Sequence, residues 1–360
     1  MGDKSFDSIQ SAESVLHCAD LDATLLFFTE RLGFRVEAII PADDPAEAVL
    51  SAYGLRLRLC RGEDDPNSSL RLYCEDPREF GGGDLIAPNG TRVQLLASNP
   101  PPHLPTLHAS LSISKLEDAT WQSGRAGMLY RDLIPGRQGG RFIASHIHIP
   151  DGGDVPDYVH FHKICFQVIF CYQGWVRVVY EDQGPEFILK AGDCVLQPPQ
   201  IRHRVLESSA GLQVVELSCP AEHETWADHE VNLPTAQIRS DREFDGQLFV
   251  RHQAESSAWQ NTDMLGFEAR DSGIHGATRG ILDVQTLRPT SKNSQVELRQ
   301  DREFCFYFVL HGELQLNVDG CAALLLEQGD AAAIPPAARY ELSTNTKDLR
   351  LLRVVAHTEA

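Results

Sequence analysis

Long apolar runs are missing from this 360-residue chain: none approaches the ~18 residues of a helical membrane span, which argues against a membrane role. The opening stretch, MGDKSFDSIQSAES, has no basic start followed by an apolar run, so no secretory leader is expected. No two cysteines form a C-x-x-C pair. The nine present are scattered and odd in number, which points to reduced thiols in a cytoplasmic protein, most of them small buried hydrophobes. Positive charge is also scarce. Thirty-two Lys and Arg face 51 Asp and Glu, a net charge of −19, and such a surface repels phosphate backbones. With no helix-turn-helix pattern either, a nucleic-acid partner is not expected and a small-molecule partner is.

What is present is ordinary globular material, 42% hydrophobic and 23% charged. The length suits roughly two to three domains. Twenty prolines and 27 glycines fall between Val-, Ile- and Leu-rich runs, the pattern of short strands joined by turns. NPPPHLP, within residues 99–106, is a linker, because consecutive prolines suit neither a helix interior nor a central strand. Beyond it the chain repeats itself. Gly192 opens GDCVLQPPQIRH and Gly329 opens GDAAAIPPAARY, with Gly, Asp, both prolines and Arg at the same offsets. Turn glycines Gly174 and Gly312 precede these at similar intervals, a period of about 137 residues. Residues 107–220 and 221–360 therefore read as two copies of one all-β unit. Residues 1–98 read as α+β. SVLHCAD is a strand, and Leu21, Leu25, Phe28 and Leu32 mark one face of a helix. Asp20 or Asp22 caps its start and Gly33 ends it. Strands are expected at EAVLSAYG, LRLRLC, LRLYC and TRVQLLA.

The chemistry concentrates in YVHFHKICFQ. His160 and His162 are two apart, so on a strand both imidazoles project from one face, where two nitrogens can hold one metal ion. Gln167 follows after four residues and Gly174 after six more. Gly192, Pro198 and His203 then form G-x5-P-x4-H. This pair of motifs resembles the cupin superfamily, whose patterns are G-x5-H-x-H-x(3,4)-E-x6-G and G-x5-P-x-G-x2-H-x3-N. The departures are an extra residue between Gly153 and His160, Gln167 in place of Glu, Gln200 in place of Gly, and Glu207 in place of Asn. The resemblance implies a small antiparallel barrel with one divalent metal on His160, His162 and His203. Gln167 is a further weak ligand or hydrogen-bond acceptor. Neutral Gln cannot act as a base, so Glu216, a carboxylate in the apolar run LQVVELSC, is the candidate proton acceptor. Tyr158 and Tyr180 are weaker candidates. His146 and His148 form a second H-x-H, expected beside the same cavity.

Carried across the repeat, the ligand positions fall on Leu298, Gln300 and Tyr340, and the Gln167 position on Cys305. The second barrel is therefore expected to be metal-free and to pack on the first or support dimerisation, with Cys305 a core thiol. The N-terminal segment resembles the vicinal oxygen chelate (glyoxalase-like) family in SVLHCADLDATLLFFTERLGFRVE and APNGTRVQLLA. His17 stands at one family ligand position, and Gln94 at the usual Glu. Room for the second module's helix is lacking, which implies a truncated domain without a metal and a route to homodimers by pairing between chains. The fold expected is mainly β: two cupin barrels behind a small α+β domain. The expected function is a mononuclear metal enzyme acting on a small organic molecule. A non-haem Fe(II) dioxygenase stands first; a Zn(II), Mn(II) or Ni(II) isomerase or lyase, or a non-catalytic small-molecule-binding protein, are the alternatives.

Overall fold

The computed structural model describes residues 11–41, 45–64, 66–124 and 127–358. The first ten residues, on which the leader expectation rests, lie outside this set. The chain divides into two compact units, Met1–Pro101 and Pro102–Ala360. No helix among the described residues is long and apolar enough to cross a membrane.

In the first unit, strand Ser14–Cys18 leads into helix Leu21–Leu26. The Asp20 side chain caps this helix by accepting the Ala23 N–H at 2.9 Å. A single π-helical turn, Phe27–Arg31, extends it, and Gly33 ends it in the left-handed region at φ 71°. The helix buries Leu21, Phe28 and Leu32 against a four-stranded sheet in the order Ser14–Cys18, Leu55–Arg61, Glu47–Ala52, Arg35–Ile40. Ser69–Cys74, Arg92–Ala97 and Asp84–Ile86 form a second, three-stranded sheet. Among the described residues its only helical feature is the short turn Pro77–Phe80.

The second unit holds two barrels, each made of two sheets. In the first barrel a seven-stranded sheet runs Val250–His252, Cys194–Gln197, Phe166–Gln173, Leu212–Cys219, Ile143–Ile149, Leu129–Asp132, Gln122–Ser123. It faces a sheet containing Phe187–Lys190, Trp175–Tyr180, His203–Ser208, His160–His162 and Thr225–Ala227. The second barrel repeats the plan, with Leu282–Pro289, Arg350–Ala356 and Phe304–His311 at the centre of its larger sheet. Edge strands are exchanged. Ser112–Ser114, which precedes the first barrel, pairs with Ala331–Ile334 of the second. Val250–His252, which precedes most of the second, pairs with Cys194–Gln197 of the first.

Strand alternation divides the side chains between two cores. On Phe166–Gln173, Phe166, Val168 and Phe170 point out of the barrel and Gln167, Ile169 and Cys171 point in. The outward set meets Phe304, Phe306 and Phe308 from the other barrel in a shared apolar layer, with Phe142 stacked on Phe304 at 4.4 Å. Arg141 and Glu303, both almost fully buried, close its edge with an ion pair of 2.7 Å. The layer joins the barrels into one folding unit. Phe306→Ala should therefore cost about 3–5 kcal/mol, read from urea unfolding; a loss under about 1 kcal/mol would mean the layer is not close-packed.

Candidate metal centre

The site begins with a register. His160 sits directly opposite His203 on neighbouring antiparallel strands. His162, two residues along, shares the inward face. Ring centroids lie 4.3 Å apart for His160 and His203, and 5.2 Å from His162 to each of the others. One nitrogen from each ring falls within 4.8 Å of the other two, the sole such cluster of His, Cys, Asp or Glu among the described residues.

Hydrogen bonds set the tautomers. Nδ1 of His160 donates to the Tyr158 carbonyl at 2.8 Å, and Nδ1 of His203 to the Ile201 carbonyl at 3.0 Å. Nδ1 of His162 meets the Thr225 hydroxyl at 2.8 Å. With a carbonyl as partner, Nδ1 must carry the proton, which makes Nε2 the nitrogen that offers a lone pair. Outer partners of this kind orient metal-binding imidazoles and raise their basicity. Asp157 adds a carboxylate 3.6 Å from His160 Nδ1.

The two turns that frame the cluster explain the departures from the motif. Gly174 joins two strands at φ 77°, where a Cβ would collide with Ser209. Gln200 replaces the motif's glycine yet adopts φ 61°, and its N–H donates to the His162 carbonyl at 3.1 Å. Glu207, in place of Asn, pairs with Arg177 at 2.5 Å outside the barrel.

The cluster opens on a cavity of about 400 Å³ inside the barrel. Ile147 and Ile149, Ile169, and Val176 and Val178 form apolar walls, each at an inward position of its strand. The polar lining is sparse: Gln167, Gln197, Glu216, Tyr180, His223 and Thr225 stand out. Gln167 is 3% exposed, and its Oε1 is buried without a hydrogen-bond partner. An orphaned buried acceptor beside three lone-pair nitrogens fits a site built for a cation or for a donor on a bound molecule. Glu216 is half-buried and inward, on the same strand face as Leu212 and Val214. Tyr180 lies fully inside, stacked 5.7 Å from His203. Burial, and then the nearby Glu216 charge, push its phenol far above the usual value. Tyr158 is 44% exposed, with its ring 5.9 Å from His160.

His223, Thr225 and Gln197 carry no motif signal. Strand pairing brings in two of them, since His162 lies opposite Thr225 and Gln167 opposite Gln197, and His223, just before that strand, sits 5.3 Å from the His162 ring. The expectation for His146 and His148 fails. Ile147 and Ile149 take the inward positions, so the two histidines face away from the cavity. His146 is wedged in the inter-barrel layer against Trp121, Tyr172 and Phe308, its Nε2 paired with Gln213 at 2.7 Å.

The second barrel keeps the frame and fills the space. Leu298 lies opposite Tyr340 just as His160 lies opposite His203. Ala337 repeats the left-handed turn at φ 64°, its N–H donating to Gln300 as Gln200 donates to His162. Inside are Cys305 and a Tyr307–Tyr340 hydroxyl pair at 2.9 Å, and Arg353 stands where the first barrel has Glu216. In the first unit, His17 is exposed on the four-stranded sheet, while Gln94 sits on the three-stranded sheet and bonds Arg71 at 3.1 Å.

No family model and no curated protein matches the chain. Solved structures do. A salicylate 1,2-dioxygenase from Pseudaminobacter salicylatoxidans aligns at TM-score 0.53 and 14% identity, over 71% of this chain and 86% of that one. The Lactobacillus farciminis oxalate decarboxylase in its formate complex aligns at 0.52 and 14%, over 72% and 90%. A variant of the Bacillus subtilis oxalate decarboxylase aligns at 0.51 and 13%, over 72% and 80%. The likeness shows that this chain has the cupin fold, and its own geometry makes His160, His162 and His203 a candidate metal site.

Two outcomes test the geometry. Elemental analysis should find about one divalent ion per chain, with His160→Ala and His203→Ala each retaining under about a tenth of it and Thr225→Val binding it about 10–100-fold more weakly. Full retention by either alanine variant would break the assignment. The second concerns His146, whose pKa burial lowers to about 4. The unfolded chain therefore takes up this proton first as pH falls. Stability that is present above about pH 6.5 is lost on the way down toward about pH 4, by roughly 3 kcal/mol. His146→Phe should flatten that slope in unfolding titrations, and an unchanged slope would place its origin elsewhere.

Proposed function

We propose that the protein is a mononuclear metal enzyme acting on a small organic molecule, with iron(II)-dependent dioxygenation its leading reaction. The observation behind this reading is the trio of imidazoles, each with Nδ1 tied to an oxygen, facing an apolar cavity. His160, His162 and His203 would hold the ion, and three neutral ligands leave coordination positions open, as catalytic sites require. When bound, iron(II) supplies Lewis acidity toward a chelating substrate and electrons toward oxygen.

The chain's own groups do the rest. The Ile and Val walls exclude water and strengthen every charge interaction inside. Gln167, which cannot take a proton at neutral pH, offers Oε1 as an acceptor that orients the bound molecule. Glu216 is the inward carboxylate and receives the substrate proton at its Oε atoms. Tyr180 stays a phenol, because burial and the Glu216 charge oppose its ionisation, so it donates and does not serve as the base. A non-oxidative lyase or isomerase using Mn(II), Zn(II) or Ni(II) is the second reading; it is favoured by the decarboxylases among the similar structures and by imidazole's tolerance of several metals.

Anaerobic loading with each metal in turn, followed by an oxygen electrode and product analysis with diketones, catechols and thiols, separates the readings. Iron-loaded protein should consume oxygen with one of these classes. Turnover without oxygen uptake supports the second reading, and binding without turnover by any loaded form defeats both. Glu216→Gln should lower kcat about 10²–10⁴-fold with metal content unchanged. A kcat within a factor of two would remove Glu216 from the chemistry.

A further inference from the structure

Resting on the metal reading above, we propose that the first barrel accepts a molecule that is uncharged in solution, binds as a monoanion through one ionisable chelating pair, and carries no second anionic group. The argument is one of charge. Among the described residues, no Lys or Arg lines the cavity. Three arginines on the barrel's strands and turns are engaged outside the cavity. Arg131 donates to the Gly329 carbonyl at 2.8 Å and to Ser114, Arg177 pairs with Glu207, and Arg202 pairs with Asp228 at 3.0 Å. Inside, a divalent ion on three neutral imidazoles contributes two positive charges and Glu216 one negative. Among the groups that line the cavity, a monoanionic ligand brings the sum to zero; a dianion leaves a net negative charge between isoleucine and valine walls, where an uncompensated charge is costly, and the Asp157 carboxylate behind His160 adds to that cost.

The amides point the same way. A second carboxylate would find no Lys or Arg in the lining, while Gln167 Oε1, buried and without a hydrogen-bond partner, calls for a donor rather than another acceptor. The volume, about 400 Å³, lies at the small end of the range for small-molecule pockets. On binding, one acidic bond to hydrogen in the ligand breaks. Its electron pair remains with the ligand, and the proton passes to Glu216 and from there to solvent.

The test uses a matched pair, pentane-2,4-dione and malonate, which share a shape and differ in charge, with oxalate as a further dianion. The full chain is loaded with cobalt(II), whose visible d–d bands report coordination. Cobalt uptake, read first, tests the metal reading, and absence of uptake overturns that reading and this one together. In the loaded protein the dione-to-malonate affinity ratio should exceed that of aqueous cobalt(II) at least tenfold, with about one proton released per site in calorimetry across buffers. Glu216→Gln, checked for fold by circular dichroism and for cobalt content, should shrink that excess at least tenfold. A loaded protein that prefers malonate or oxalate, or an excess that survives Glu216→Gln, overturns the charge account and leaves the metal site standing.

Discussion

One backbone pairing holds the functional part of this molecule in place: His160 opposite His203 across adjacent antiparallel strands. Cross-strand neighbours sit only about 4.5–5.5 Å apart at Cβ, close enough for two imidazoles to share an ion without any loop being ordered. The third imidazole follows from strand periodicity alone. What remains is rotation of each ring, and the Tyr158 and Ile201 carbonyls and the Thr225 hydroxyl fix it. The centre is thus prepaid in folding free energy rather than assembled on ligand arrival, which is the arrangement catalysis favours. Even the left-handed turn at Gln200 serves it, since the strained backbone ties the loop to the His162 carbonyl.

The second barrel separates frame from function. It repeats the register, the left-handed turn and the hydrogen bond that anchors it, so none of these requires the histidine trio. The interior differs. Leu298, Cys305 and Tyr340 replace the polar positions, and tyrosine rings occupy the space that is a cavity in the first barrel. A filled barrel is the better support. Its outward phenylalanines give the shared layer a rigid backing, and the first barrel can then keep a hollow interior without standing alone.

Much of this was legible because strands have a period of two and glycine has a special conformation. The H-x-H spacing, Gly174, and the repeat with Leu298 and Tyr340 in register all survive translation into coordinates. The histidine trio was readable from two separated motifs whose spacings agreed. Thr225, His223 and Gln197 were not, since their proximity depends on which strands pair, a choice made by packing rather than by local sequence. His146 shows the converse error. Its H-x-H spacing matches that of His160 and His162, but alternation only says that two residues share a face, not which face is inward. The isoleucines between them decided that, by lining the cavity. The exchanged edge strands, Ser112–Ser114 and Val250–His252, are too short to signal a partner on the far barrel.

The replacement of Glu by Gln at position 167 has a consequence that reaches past a single ligand. A carboxylate there would sit on the metal and cancel one of its charges before any substrate arrived. With an amide, an ion held by the imidazoles would keep both charges, and the negative charge sits instead on Glu216, across from Ile169 on the neighbouring strand. In the proposed reaction this leaves the acid for proton transfer, with binding polarity and base divided between two residues. In the second barrel the same positions carry Cys305 and Arg353, so the inward charge there has the opposite sign.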